Sequence, residues 1–227
     1  MTTIATRRLV EVGDAAPAFT LPAVHRDGTV GLDDYRGKTG LLVAMFRGIY
    51  CAYCRRQMVQ LAEIADALRK VSVEILVVVT TPVQRARVYA EFYPTTLPLA
   101  SDPDMTTYKA FGLPRPIVIS TGATDWPLTV NPDDIEEVVP VYTANEIAEP
   151  VSLGEAVRRF DAKDRFKKSE EDVRELEATW NQLSGLVLID KHGIVRWVDV
   201  EAPGGFADWG HIASNPQIVA AAQRLAA

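Results

Sequence analysis

Two cysteines, Cys51 and Cys54, stand three residues apart in the stretch FRGIYCAYCRRQM, and the 227-residue chain has no others. Their spacing fits three kinds of site: a redox-active dithiol, half of a zinc site, or two small buried side chains. A zinc site needs about four ligands, and the three histidines of the chain show no paired spacing: His25, His192 and His211. A disulfide between the two cysteines would close too short a loop to restrain the unfolded chain much. The redox dithiol is therefore the favoured interpretation.

The two cysteines lie where a predicted strand is followed by a predicted helix. The short apolar run GLLVAMF, residues 40–46, is typical of a buried strand. Beyond it, apolar side chains at spacings of three and four predict one face of a helix over about 52–69: Cys54, Met58, Leu61, Ala65 and Leu68. Cys51 is thus expected at or just before the first turn of this helix, and Cys54 one turn deeper on its apolar face.

The start of a helix favours an anion, because its first backbone N–H groups are unpaired and its dipole is positive there. The thiolate is the nucleophilic form of cysteine, and the pKa of a thiol falls in such a setting. Cys51 is accordingly predicted to be the exposed nucleophile. Cys54 is predicted to be the recessed residue that resolves a sulfenic acid or a mixed disulfide formed on Cys51.

Charged and aromatic residues surround the two cysteines in the sequence. Arg47, Arg55 and Arg56 bring positive charge close to the first cysteine. Arg55 and Arg56 are expected to be solvated helix residues, with tuning of a thiolate by one of them as the alternative. Tyr50 and Tyr53 are expected to pack beside the core strand, and the alternative is that they shape substrate entry.

The remaining patterns predict an α/β domain with a mixed sheet, because strands and helices alternate before a hairpin and a closing helix. The further predicted elements are, in chain order, a buried strand over 71–80, a helix over 82–92 capped by Thr81, a short helix between Asp102 and Gly112, a hairpin turning at 191–193 and a last helix over 215–226.

Residues 114–182 interrupt this alternation and are predicted to be an insertion. Within them, IVIS is expected to form a short strand, and Asn131-Pro132 and Ser169 are typical of helix starts. Residues 131–180 hold 14 acidic and 7 basic side chains, so the excess acidity of the chain lies here. We expect a mostly helical addition that is solvated or forms a contact in a homodimer. A lid that selects a partner is the alternative.

The composition excludes several classes of partner. The net charge is −6, which argues against nucleic acid and anionic membranes, since both require a concentrated basic face. No stretch approaches the roughly 18 to 20 consecutive apolar residues of a membrane span, and the first residues lack a signal-peptide pattern. We therefore expect a soluble cytoplasmic protein. No glycine-rich phosphate loop follows a strand, and no metal, flavin or nucleotide cofactor is expected.

Three stretches resemble the peroxiredoxins of the alkyl hydroperoxide reductase and thiol-specific antioxidant group: VGDAAPAFTLPAVHRDGTVGLDDYRGK, LPLASDPDMTTYKAFGL and GLVLIDKHGIVRWVDV. They occur in that family's order and cover roughly 11–113 and 184–226. The resemblance implies a thioredoxin-like fold, with a central mixed sheet flanked by helices, over a single domain of residues 1–227 that contains the insertion. It also implies a thiol-dependent antioxidant enzyme with Cys51 as its nucleophile.

The catalytic signature of that family is only partly present. Peroxiredoxins carry Pro-x-x-x-Thr/Ser-x-x-Cys, in which the hydroxyl group and an arginine orient the peroxide. Aligned on the first cysteine, this chain has Ala44 for the proline and Gly48 for the hydroxyl residue, and the family's arginine would fall near Ser184. Arg47 or Arg115 is expected to take the place of that arginine.

The string YCAYCRR is instead similar to the aromatic-Cys-x-x-Cys-basic motif of thioredoxins, and Ala52-Tyr53 is close to the Pro-Tyr of glutaredoxins. This likeness implies exchange with a disulfide. A peroxide and a disulfide therefore both stay open as substrates, and an external thiol, from a thioredoxin-like protein or glutathione, would restore the dithiol. The non-enzymatic alternative is a redox sensor or binding scaffold in which Cys51 and Cys54 change the shape of the insertion.

Overall fold

The computed structural model describes residues 8–93, 95–134, 151–205 and 208–226. The strands in these residues are β1 (Thr20–Pro22), β2 (Thr29–Gly31), β3 (Gly40–Phe46), β4 (Val73–Val79), β5 (Leu99–Ser101), β6 (Ile117–Val118), β7 (Thr129–Val130), β8 (Gly185–Ile189) and β9 (Val195–Val200). The helices are α1 (Ala52–Arg69), α2 (Val83–Phe92), α3 (Thr106–Phe111), α4 (Leu153–Asp164), α5 (Glu170–Thr179) and α6 (Asn215–Ala226). None of the helices in the described ranges is long and apolar enough to cross a membrane.

A mixed sheet in the order β5-β4-β3-β8-β9 forms the centre of the fold. β3 pairs in parallel with β4 and antiparallel with β8, and β8 forms with β9 the antiparallel hairpin that the sequence predicts around 191–193. Every residue of β3 is buried, because the strand lies in the middle of the sheet and both of its faces are covered. This sheet flanked by helices is the thioredoxin-like fold that was expected.

Alternate residues of the central strand enter two separate cores, since successive side chains of a strand point to opposite faces. Leu42 and Phe46 pack with residues of α1, α2 and α6. Leu41 and Met45 pack with residues of β1, β2 and α3. The two-residue period of β3 thus determines which face of the sheet the cysteine helix covers.

The local predictions around the cysteines agree closely with the structure. The strand over 40–46 and the helix over 52–69 have those bounds, and the next strand, β4, is slightly shorter than its prediction. Helix α3 begins at Thr106 rather than directly after Asp102. The Asp102 carboxylate reaches that start and accepts the backbone N–H of Thr106 at 2.9 Å.

The predicted cap of α2 is wrong, because Pro82 and not Thr81 is the residue before its first turn. The hydroxyl group of Thr81 is engaged elsewhere. It accepts the backbone N–H of Ile49 at 2.9 Å and donates to Glu175 Oε1 at 2.8 Å. Thr81, which the local pattern predicts to cap a helix, therefore makes contacts with distant parts of the chain instead.

Residues 114–182, which the sequence predicts to be an insertion and which are called the inserted segment below, contribute β6, β7, α4 and α5 in their described part. The first two residues of IVIS do form a short strand, β6, which pairs in parallel with β7, and Ser169 is the N-cap of α5 with the predicted capping box. The predicted start at Asn131 is followed by one 3₁₀ turn, Pro132–Asp134, and the rest of that helix prediction lies outside the described residues. The segment is not solvated all round, because α4 packs on α1 through an apolar cluster: Ala52, Tyr53, Ala156 and Phe160.

Candidate active site

Cys51 is the N-cap residue of α1. Its Sγ accepts a hydrogen bond from the backbone N–H of Cys54 at 3.3 Å, and its own N–H donates to the carbonyl oxygen of Gly48 at 3.1 Å. Cys51 is partly exposed, whereas Cys54 is buried. Both are free thiols in this structure. The exposed and recessed positions are those predicted for a nucleophile and its resolving partner.

The two thiols have pKa values shifted in opposite directions. Burial acts to raise the pKa of Cys51, but hydrogen bonds from Cys54 and the positive charge of Arg47 outweigh it and lower this pKa to about 6, against the opposing charge of Glu201. Burial and the neighbouring Cys51 sulfur raise the pKa of Cys54 well above its ordinary value. At neutral pH the pair is therefore a thiolate at Cys51 and a thiol at Cys54, as attack and resolution require.

Arg47 is buried beside the cysteines and forms a two-point ion pair with Glu201. The distances are 2.8 Å from Nη1 to Oε2 and 2.7 Å from Nη2 to Oε1. Nη1 also donates to the carbonyl oxygen of Gln182 at 3.0 Å, and the guanidinium group lies 4.6 Å from the ring centroid of Trp209. Glu201 in turn accepts the N–H of Ser184 at 2.9 Å. Arg47 therefore reaches the part of the chain where the sequence alignment placed the missing arginine.

Glu201 is a site residue that the sequence did not reveal. It is 1% exposed and accepts a further hydrogen bond from the N–H of Gly210 at 2.7 Å. The four donors around its carboxylate, two from Arg47 and two from the backbone, compensate the desolvation of a buried charge. The only sequence signal is an acidic residue directly after β9, and acidic residues at strand ends are common.

Arg55 and Arg56 are buried, so the prediction that they are solvated is wrong. The guanidinium group of Arg55 donates to Asp164 at 2.8 Å and to Asp161, and Arg56 also pairs with Asp164. Arg55 further donates to two carbonyl oxygens of the loop before Cys51. The two arginines are buried because α4 places two carboxylates against α1, which compensates their charge.

Tyr50 and Tyr53 are buried, as the packing interpretation predicts. The Thr179 hydroxyl donates to the carbonyl oxygen of Glu175 at 2.8 Å, so it accepts the hydrogen bond of the Tyr50 O–H at 2.6 Å. The ring of Tyr53 packs edge-on against Phe160, with 5.6 Å between centroids. Tyr50 thereby joins the loop before Cys51 to α5, and Tyr53 joins the first turn of α1 to α4.

The two positions that depart from the peroxide-binding signature have different surroundings. Ala44 is buried in the middle of β3. At Gly48 a Cβ atom would lie 2.1 Å from Glu175 Oε1, so the carboxyl group of an α5 residue occupies the space that a side chain would need. Arg115 is exposed and donates to Asn181 at 3.2 Å. Of the two arginines considered from the sequence, Arg47 is the one whose charge acts on Cys51.

Other clusters of polar side chains do not belong to this site. Among the residues that the structure describes, no three Cys, His, Asp or Glu side chains are grouped so that they could hold a metal ion. A cavity of about 720 Å³ lies at the start of β3, and its basic lining residues are Lys38, Lys70, Lys191, Arg196 and Arg224. Cys51 follows the other end of β3, so this cavity and the cysteines lie at opposite ends of the strand.

The chain is similar to one known protein family and to several solved structures. The model of the AhpC/TSA family matches residues 12–198, and no curated protein sequence matches the chain. The fold is similar to the reduced 2-Cys peroxiredoxin of Plasmodium vivax, with a TM-score of 0.57, 16% identity, and coverage of 93% of this chain and 80% of that one. It is also similar to peroxiredoxin Q of Xanthomonas campestris, with a TM-score of 0.56, 13% identity, and coverage of 96% and 98%. At these identities the structures establish a shared fold.

Proposed function

Because the chain belongs to the AhpC/TSA family and is a thiol-dependent oxidoreductase of that kind, we propose that it reduces a small peroxide with Cys51 as nucleophile and Cys54 as resolving residue. The observation that carries this assignment is the state of Cys51. Its sulfur is a helix N-cap, accepts the N–H of Cys54 and lies in the field of Arg47, which together lower its pKa to about 6.

The reaction follows from these two protonation states. The Cys51 thiolate attacks the terminal oxygen of a hydroperoxide ROOH, so that an S–O bond forms and the O–O bond breaks. The products are the sulfenic acid of Cys51 and RO⁻, which takes a proton from solvent and leaves as ROH. The Cys54 thiol then attacks the sulfenic sulfur, which forms the Cys51–Cys54 disulfide and releases water. An external dithiol or two glutathione molecules reduce this disulfide and are themselves oxidised.

A small substrate is favoured over a protein disulfide by the packing around α1. Ala52 and Tyr53, between the two cysteines, are buried against Ala156 and Phe160 of α4. A protein carrying a disulfide would have to approach Cys51 past this helix, whereas a small peroxide has only to reach the partly exposed Cys51. Exchange with a disulfide is the second candidate, because Ala44 and Gly48 lack the side chains of the peroxide-binding signature.

The surroundings of the reaction are also proposals. The external reductant is a thioredoxin-like protein or glutathione, the working compartment is the cytoplasm, where thiols are kept reduced, and a homodimer is the proposed assembly. The net charge of −6 supports neither a nucleic acid nor an anionic membrane as partner.

Stopped-flow oxidation of the fully reduced protein tests the assignment. Hydrogen peroxide, an organic hydroperoxide and a low-molecular-weight disulfide would be compared, with the fluorescence of Trp209, which stacks on Arg47, as the signal. We expect peroxide to react orders of magnitude faster than with an ordinary thiolate and to give the Cys51–Cys54 bridge by mass. Cys51→Ser should abolish the reaction, and Cys54→Ser should stop it at the sulfenic acid.

Two other outcomes would replace the assignment. A fast reaction with the disulfide and a slow one with peroxide would identify a thiol-disulfide exchange enzyme. Slow reaction with both would exclude an enzyme of either kind and support a redox sensor. In that case the variant that combines Cys51→Ser and Cys54→Ser would lose a redox-dependent change of partner or oligomeric state.

A further inference from the structure

Glu175 of α5 lies directly over the loop that presents Cys51. A Cβ atom at position 48 would lie 2.1 Å from Glu175 Oε1 and 2.6 Å from its Cδ, so the carboxyl group fills a space that only glycine leaves open. The carbonyl oxygen of Gly48 accepts the N–H of Cys51 at 3.1 Å. A carboxyl group of the inserted segment is therefore in contact with the residue that fixes the backbone of the nucleophile.

Hydrogen bonds join Glu175 to the same loop. Oε1 accepts the hydroxyl groups of Thr80 at 2.7 Å and Thr81 at 2.8 Å. Because Thr81 Oγ1 also accepts the N–H of Ile49 at 2.9 Å, a continuous chain runs from the carboxyl group to the loop backbone. On the other side, Tyr50 reaches α5 through Thr179. The loop is thus held by α5 at two points.

The second oxygen of Glu175, Oε2, is buried and has no hydrogen-bond partner among the described residues. Charged and titratable groups from three helices interact electrostatically with this carboxyl group. They are Glu171 and Asp172 from α5, Arg85 from α2 and Tyr108 from α3. Asp172 already pairs with Arg85 at 2.7 Å. A negative charge on Glu175 would therefore lack a cation of its own, and a buried charge without a partner is costly.

This environment keeps the carboxyl group of Glu175 neutral at pH values well above those at which a glutamate ordinarily ionises. Burial raises the pKa of Glu175 to about 7, the negative charges of Asp172 and Glu171 act in the same direction, and the hydrogen bonds from Thr80 and Thr81 oppose them. Glu175 is therefore protonated below neutral pH and ionised above it.

We propose that Glu175 is a positioning residue for the Cys51 reaction: its neutral carboxyl group holds the loop of residues 47–51 in the reactive conformation, and its ionisation releases that loop. The proposal rests on the thiol chemistry assigned to Cys51. Ionisation would place an uncompensated charge against Gly48, and hydration of that charge requires the loop to move away from α5. The loop would then no longer keep Cys51 beside the groups that stabilise its thiolate.

A limited pH range for activity follows. Cys51 becomes a thiolate as the pH rises through about 6, and Glu175 loses its proton as the pH rises through about 7. Reactivity should therefore rise and then fall across this interval, with the descending limb due to Glu175. A side chain that only stabilised the fold would change the rate by the same factor at every pH.

Hydrogen exchange of the loop tests the inference without any peroxide. The reduced wild type, Glu175→Gln and the control Glu177→Gln, which replaces an exposed carboxylate of α5, would be compared between pH 6 and 8, after correction for the intrinsic exchange rate. We expect the protection of the Ile49 and Cys51 amides to fall in the wild type above pH 7, by about tenfold one pH unit beyond the midpoint. Protection should stay constant in Glu175→Gln and follow the wild type in Glu177→Gln.

The rate of peroxide reduction by the same proteins gives the second readout. The wild type and Glu177→Gln should show the descending limb near pH 7, and Glu175→Gln should lack it. A limb that persists in Glu175→Gln, or a uniform decrease at every pH, would overturn the inference. If neither the wild type nor its variants reduce peroxide but the hydrogen-exchange pattern is as expected, the peroxidase assignment fails. The role of Glu175 in holding the loop then stands.

Thr80→Val keeps the inference testable if Glu175→Gln does not fold. The Thr80 hydroxyl favours the ionised carboxylate, so its removal should raise the pKa of Glu175 and move the loss of amide protection to higher pH. An unchanged midpoint in Thr80→Val would contradict the proposed role.

Discussion

At the scale of single residues, two opposite charges act on one sulfur. The positive charge of Arg47 lowers the pKa of Cys51 and the negative charge of Glu201 raises it. Arg47 and Glu201 also hold each other in place through a buried two-point pair. The reactivity of Cys51 therefore depends on the difference between the two charges and on the helix start at which it lies.

Replacing Arg47 and replacing Glu201 should move the pKa of Cys51 in opposite directions. Arg47→Met should raise it by about 1 unit or more, because an opposite charge close to a thiolate is lost. Glu201→Gln should lower it, because the opposing charge is lost. Both variants leave one buried charge unpaired and should unfold more easily, by about 3–5 kcal/mol. Thiolate absorbance against pH, with Cys54 replaced by serine throughout, gives the pKa values.

Arg115→Met is the control for this pair, since Arg115 is exposed and contacts Asn181 instead. It should leave the pKa of Cys51 unchanged. Shifts of the same sign in Arg47→Met and Glu201→Gln would show that a general disturbance of the fold, and not the two charges, controls the sulfur.

At the scale of elements, the inserted helices are fastened to the cysteine helix by ion pairs that are largely removed from water. Asp164 of α4 pairs with both Arg55 and Arg56 of α1 and is 6% exposed. Such pairs compensate the charges they bury, and loss of one partner leaves the other without compensation. Helix α4 therefore stays against the first turn of α1, where it covers the residues between the two cysteines.

Asp164→Asn should destabilise the protein far more than the same change at Asp66. Asp164 is buried between two arginines, and the loss of its charge should cost about 3 kcal/mol. Asp66 also pairs with an arginine on α1, but its side chain is 86% exposed, so Asp66→Asn should have little effect. Urea unfolding of both variants measures the difference. Equal effects would mean that the contact between α4 and α1 contributes little to stability.

At the scale of the whole molecule, the cysteine site makes the stability of the reduced protein depend on pH. The pKa of Cys51 is lowered in the folded protein, from the ordinary value of 9.0 to about 6. A lowered pKa contributes stability that is present above the unfolded value and is lost as the pH falls through the folded value. The pKa of Glu175 is raised, so its contribution is lost as the pH rises towards about 7. Between pH 7 and 9 the contribution of Cys51 is therefore the one that changes.

The reduced wild type should gain stability relative to Cys51→Ser as the pH rises from 6 to 8.5. Serine is also a good N-cap residue, so this variant keeps the helix start and removes the ionisable thiol. The expected gain is about 3 kcal/mol. Urea unfolding with a reductant present measures it at each pH. A constant difference across this range would show that the thiolate of Cys51 is not stabilised by the fold.

The sequence alone determined the parts of this protein that depend on neighbours along the chain. The apolar run of residues 40–46 and the period of three and four after it located β3 and α1 correctly, because both signals are local. Cys51 at the start of α1 and Cys54 on its buried face follow from the same periodicity. The cap at Ser169 was predicted for the same reason, since a capping box spans only four residues.

Only the tertiary structure decided what surrounds the sulfur. Glu201 is 154 positions from Arg47, and Glu175 meets Gly48 from a helix in a different part of the chain. Arg55 is a further example. The sequence predicts a solvated side chain, but the structure buries it against two carboxylates of α4. Whether a charged side chain is buried and paired depends on how distant elements pack, and no local period of the sequence records that packing.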